Sequence, residues 1–319
     1  LAMASNASKK VIYAALFGNF LISITKFGAS IITTSSAMLS EAIHSLVDTG
    51  NQVLLLYGLR RSAKPADQMH PFGYGKELYF WPFVVAILIF AVGAGLSAYE
   101  GIHRVMHPQP VSDAYINYIV LGLAMVFEAY VWWVAYKEFT VLRGDQPFIK
   151  AIRDSKDPTV ITVLFEDSAA MLGLMVAFIG VAISDFYQLP VFDGIASLLI
   201  AAILAVTASF LAFECKGLLI GEGAHPETIA SIRAIIDEDS RIENINQMLT
   251  IHFGPQDILV NISLDFVDGL PSEKVEATVT NMGDRIKSKH PEVKRIFIEA
   301  QNFVDMKATL QAERAKQAN

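Results

Sequence analysis

Apolar residues gather into six long windows, 11–33, 37–59, 78–102, 114–136, 158–183 and 192–219, each nearly uncharged. Each holds about the 20 residues that a helix needs to cross a bilayer, which predicts a bundle of six spanning helices. From about Gly221 the pattern changes, because charges become frequent and apolar residues alternate or recur at helical spacing. A helix is predicted after His225, with Pro226 in its first turn. "INQMLTIHF" and "DILVNISLDF" then read as strands, "SEKVEATVTNMGDRIKSKH" as a helix with Ser272 at its N-cap, and "VKRIFIEA" as a third strand. That order suits a small open sheet with helices on one face. The predicted organisation is a transmembrane domain over 1–220, a water-exposed αββαβ domain over 221–306, and a tail over 307–319 of helical composition.

Composition agrees with the windows: of 319 residues, 53% are hydrophobic and 18% charged, a balance found in membrane proteins. The single cysteine, Cys215, excludes an intrachain disulfide framework and a multi-thiolate metal cage, and its expected role is packing in the sixth span. No basic stripe or recognition motif points to nucleic acid. Lys and Arg are unevenly shared between the two sets of connections. One side holds Lys9, Lys10, Arg60, Arg61, Lys64, Lys76, Lys137, Arg143, Lys150, Arg153 and Lys156, and the other holds Arg104. The positive-inside rule therefore puts both termini and the C-terminal domain on the cytoplasmic side.

Against this apolar background the second window carries "SEAIHSLVDTG", with Glu41, His44 and Asp48 at i, i+3 and i+7 on one helical stripe. Ionisable groups inside a membrane are costly and mark functional sites by default. An imidazole and a carboxylate one turn apart can share a divalent ion, and zinc accepts both ligand types. The bland alternative is that His44 and Asp48 bond each other and merely fix the bundle. The fifth window supplies Glu166 and Asp167 in "VLFEDSAAML", and the fourth supplies Glu128, at similar depth. Carboxylates meeting inside one bundle repel unless they share a proton or a cation, so a buried cation site fits the pattern best. No HExxH motif occurs, and Ser45 beside His44 lacks the Gly-rich setting of a nucleophile, which argues against a hydrolase.

These stretches resemble the cation diffusion facilitator family. The likeness runs through "SEAIHSLVDTGNQ", "PADQMHPFGYGKE", "GAGLSAYEGI", "HPQP", "FEDSAAMLG" and "FDGIASLLIAAIL", and is greatest to a branch that includes a mammalian zinc transporter. The resemblance implies a six-helix transmembrane bundle with a C-terminal ferredoxin-like α+β cytoplasmic domain. It implies a homodimer in a lipid bilayer that exports a divalent metal from the cytosol in exchange for protons, by alternating access, and that is not an enzyme and needs no organic cofactor. Zinc is the expected cargo, with manganese or ferrous iron as alternatives, and a non-transporting membrane metal sensor or scaffold as the other reading. A bacterial cytoplasmic membrane is expected, with an organellar membrane as the alternative.

The family's transport site pairs a His or Asp with an Asp four residues later in the second span, and repeats such a pair in the fifth. His44 and Asp48 match the first pair and Asp167 the later member of the second, where Val163 stands in place of its partner. Glu166, Glu41, Asn51 or water is left to complete the set, and an oxygen-rich set weakens a preference for zinc. A peripheral family site is matched by Asp67 and His70, with Tyr74 where a third ligand, a histidine, would stand. A plain Gly- and Pro-shaped turn is the alternative there. Asn246, Ser263 and Glu299 occupy positions of domain histidines in relatives, so the C-terminal domain is expected to be metal-poor and a dimer contact. His252 is expected to serve the sheet rather than a metal.

Overall fold

The computed structural model describes residues 2–110, 113–154 and 158–303, and the tail expected over 307–319 lies outside the described residues. The chain divides into two compact units, residues 1–216 and 217–319.

The first unit is helical: α1 (Ala2–Thr33), α2 (Ser36–Ser62), α3 (Glu77–Leu88), a π-helical segment (Ile89–Ala94), α4 (Gly95–Met106), α5 (Ala114–Arg143), α6 (Phe148–Asp154), α7 (Pro158–Tyr187) and α8 (Val191–Ile220). α3, the π segment and α4 run on as one span, and the short α6 falls in a stretch that the apolar pattern leaves as a connection. Among the described residues five helices are long and apolar enough to cross a membrane: Leu16–Thr33, Glu77–Met106, Ala114–Lys137, Ile161–Tyr187 and Val191–Ile220. The second expected span, α2, is not among them. It has the length, but Glu41, His44, Asp48, Asn51 and Gln52 lower its hydropathy, and all five are buried.

The burial of α2 inverts the order of a soluble helix, since its polar stripe faces inward while Leu46, Val53 and Tyr57 are exposed. It packs against α1, α3, α4 and α7, so its stripe lies at the centre of the unit. Large apolar side chains such as Ile31 (77% exposed) and Phe213 (74%) face outward, where lipid is the fitting solvent. Small residues let the helices approach closely. A Cβ on Gly101 of α4 would stand 2.9 Å from the backbone nitrogen of Leu198 on α8, and one on Gly180 of α7 would collide with Ala196. Cys215 is buried in α8, as its position in the last window suggests.

The second unit contains α9 (Pro226–Asp237), β1 (Ile242–Gly254), β2 (Asp257–Phe266), α10 (Ser272–Lys289) and β3 (Val293–Ala300). The sheet order is β1-β2-β3, with β1 antiparallel and β2 parallel to its neighbour β3. Ile258, Val260, Ile262 and Leu264 of β2 form a core with Ile232 and Ile236 of α9 and Met282 and Ile286 of α10. Ser272 begins α10 rather than capping it. The residue before it, Pro271, is extended and makes no side-chain cap bond. His252 is buried in β1, where its Nδ1 donates to the Gly254 carbonyl at 3.2 Å. Asn246 Nδ2 donates to the Gln301 carbonyl at 2.7 Å and lies 3.4 Å from Ser263 Oγ, so these two positions serve the sheet's own bonding. The protein is thus a mostly helical, multi-pass membrane protein with a small C-terminal three-stranded sheet.

Candidate metal centre

The inward stripe of α2 brings His44 and Asp48 together, with His44 Nδ1 3.3 Å from Asp48 Oδ1. The approach is an electrostatic contact without hydrogen-bond alignment, and among the described residues both ring nitrogens of His44 are buried without a hydrogen-bond partner, as is Asp48 Oδ1. From α7, Glu166 lies beside Asp48 and accepts from Asn51 Nδ2 at 2.6 Å. Two carboxyl groups this close repel unless they share a proton or a cation. Asp167 is also buried, and its Oδ2 has no hydrogen-bond partner.

The α7 carboxyl group that touches α2 is therefore Glu166, while Asp167 follows one residue, about 100° of helix, further round. Val163 packs into the apolar core. Glu128 of α5 is buried within electrostatic reach of Asp48, Glu166 and Asp167. Beside Asp167, Ser168 accepts from Trp132 Nε1 of α5 at 3.0 Å, which fixes the rotation of α7. Among the described residues no three His, Cys, Asp or Glu side chains stand close enough to hold an ion as they are placed. The arrangement offers buried donors from two helices that could close on a cation by side-chain rotation.

The sequence pattern does not single out Lys26 of α1, yet it is buried against the same stripe. Its Nζ donates to Glu41 Oε2 at 3.0 Å and to Ser45 Oγ at 2.8 Å. The signal was present: Asn19, Ser23, Lys26, Ser30 and Thr33 recur at helical spacing in the first window, and all are buried. Asp193, at the start of α8, is a second residue the pattern passes over. It accepts from Ser35 Oγ at 2.5 Å, Ser36 N at 2.6 Å and Ser36 Oγ at 2.8 Å, and Arg104 Nε stands 3.8 Å away.

The loop between α2 and α3 closes on itself. Asp67 Oδ1 accepts from the His70 amide at 2.7 Å and Oδ2 from the Tyr74 hydroxyl at 2.7 Å, while the His70 and Tyr74 rings lie 4.3 Å apart. The Tyr74 hydroxyl holds the Asp67 carboxyl below the usual carboxylate range, and Asp67 in turn raises the Tyr74 phenol. Asp67 and His70 are together, 3.5 Å from Asp67 Oδ1 to His70 Nδ1, but both oxygens of Asp67 are engaged by the turn. Gly73, at φ +82°, allows the turn to close.

A family model for the cation efflux transmembrane domain matches residues 12–220. The mouse (Mus musculus) protein named proton-coupled zinc antiporter SLC30A9, mitochondrial, is 32% identical over 81% of this chain and 46% of its own length. Metal tolerance protein C4 of Arabidopsis thaliana is 28% identical over 81% of this chain and 57% of its own. The chain thus spans about half the length of these two relatives. The manganese efflux system protein MneP of Bacillus subtilis is 25% identical, over 93% of this chain and 94% of its own length. With five apolar spans among the described residues, a buried ionisable stripe and a match to the efflux domain over most of its length, the chain belongs to the cation efflux, or cation diffusion facilitator, family of metal transporters.

Proposed function

We propose that the chain is a proton-coupled antiporter that exports zinc from the cytosol by alternating access, working as a homodimer with six spans, α2 being counted among them. The observation that carries this reading is the buried meeting of His44 and Asp48 with Glu166, where donor atoms of His44, Asp48 and Asp167 lack hydrogen-bond partners. Unpaired polar atoms at such depth are costly, and a cation bound between α2 and α7 would satisfy them together. His44, Asp48 and Asp167 are the proposed ligands, with Glu166 replacing the oxygen that Val163 cannot supply. Metal binding needs neutral imidazole and ionised carboxylates, so the ion competes with protons for the same atoms. A proton held by Asp48 or Glu166 is one that an entering ion would displace, and this competition is the proposed coupling.

The ferredoxin-like character of the C-terminal unit and its role as the dimer contact belong to the same proposal. One row of its sheet places Leu249, Asn261 and Phe297 side by side, all exposed on the face away from the helices. Asp67 and His70 are proposed as a peripheral metal contact that needs Tyr74 to release Asp67. Both termini are proposed to be cytoplasmic, in a bacterial cytoplasmic membrane or its organellar equivalent.

Replacing Asp48 with Ala should abolish zinc-driven proton flux in proteoliposomes while leaving the dimer intact on size exclusion. Undiminished flux would remove Asp48 from the mechanism. Manganese is the second reading, favoured by the oxygen donors Asn51 and Glu166 at the centre and by the similarity to a manganese efflux protein. Parallel flux measurements with both ions decide between them.

A further inference from the structure

Lys26 is 1% exposed in the middle of an apolar span, where an ammonium group is tolerated only with partners. Its partners, Glu41 and Ser45, lie one turn apart on α2, and His44 sits between them in sequence. Side chains three residues apart on a helix have Cβ atoms about 5–6 Å apart, so a Glu41 carboxylate could reach an ion held on the His44 imidazole. Glu41 is turned away from that role. Its Oε2 is bonded to Lys26, and its Oε1, buried without a hydrogen-bond partner, presses against Gly173 of α7, where any Cβ would collide with it.

We infer that Lys26 is a specificity-determining residue that, by pairing with Glu41, keeps an additional carboxylate out of the coordination set at His44 and Asp48. The inference rests on the proposed metal site and acts through Glu41, so Lys26 is a positioning residue. Coordination number supplies the physical reason. Zinc is content with four ligands, whereas manganese favours six oxygens. A further carboxylate therefore gains more for manganese than for zinc, and the ammonium that withholds it tilts the site towards zinc.

The test uses the full chain in detergent, titrated calorimetrically with zinc chloride and manganese chloride. Lys26→Gln removes the ammonium that holds Glu41 while keeping a polar side chain beside Ser45, so Glu41 loses its counter-charge and is released towards His44. It should narrow the zinc-over-manganese affinity ratio by about tenfold. Adding Glu41→Gln to that variant should return the ratio to the parent value, since the released carboxylate is gone. Lys26→Met, compared in the same way, should shift the ratio in the same direction. A ratio within about twofold of the parent in monodisperse Lys26→Gln protein, or a shift that survives the added Glu41→Gln, overturns the inference. Parent protein that binds zinc and loses it on Asp48→Ala, with no effect of Lys26 on the ratio, overturns the role of Lys26 alone. Binding that is indifferent to Asp48 overturns the metal site and the inference together.

Discussion

Asp193, at the start of α8, and Asp48, in the middle of α2, are both buried carboxyl groups of the membrane unit, and both act on α2. Asp193 is saturated. Two serine hydroxyls and the Ser36 amide donate to it, Arg104 lies alongside, and its charge sits at the N-terminus of α2, where the helix dipole favours an anion. Among the described residues Asp48 faces a histidine it does not hydrogen-bond, another carboxyl group, and no cationic hydrogen-bond partner of its own. The first arrangement needs nothing more and holds helices together. The second is incomplete within the protein, and a mobile cation is the group that would complete it. Satisfaction, rather than burial, separates a joint from a binding site.

Substitutions at the two places should part company accordingly. The largest effect is expected from Asp193→Ala, which strips the start of α2 of its acceptor and leaves Arg104 without its counter-charge. A loss of about 3–5 kcal/mol of stability is expected, read as a lowered unfolding temperature in detergent. The zinc affinity of the protein that remains folded should stay near that of the parent. At the other place Asp167→Asn should leave the unfolding temperature unchanged or raised and weaken zinc binding about 100-fold by calorimetry, equivalent to about 2.7 kcal/mol. If both variants lose stability and binding alike, the distinction between joint and site fails.

Ser36→Ala removes one of the donors to Asp193 and should cost about 1 kcal/mol, visible in the same unfolding measurement. The smallest effect belongs to Asp67, a carboxylate that is satisfied but in water. Its folded-state value is lowered by the Tyr74 hydroxyl, so the bond favours the folded loop above the unfolded-state value and is lost as pH falls through the folded one. Tyr74→Phe should raise the Asp67 titration towards the ordinary carboxylate range, followed by NMR of the labelled side chain. An unchanged midpoint would show that Tyr74 is not the cause.

Much of the fold is legible in the chain because its signals are local. Window length marks the spans, and the α-β-β-α-β order of the second unit follows from alternation and helical spacing around Pro226, Ser272 and the strand at Val293. The stripe of Glu41, His44 and Asp48 is visible because polar residues stand out in an apolar helix. Two departures also have local causes: α2 falls short of the hydropathy of a span through its own polar residues, and Pro271 rather than Ser272 precedes the first turn of α10.

What the chain by itself determined is which residues are costly in a membrane and at what depth along each helix they fall. Which partners they meet was decided by the tertiary structure: Glu166 rather than Asp167 on Asp48, Lys26 on Glu41, Asp193 at the start of α2. The physical reason lies in the solvent. In water, an apolar stripe tells which face of a helix turns inward. In lipid, the outward face and the packed face are both apolar, so the rotation of each helix is set by contacts with its neighbours.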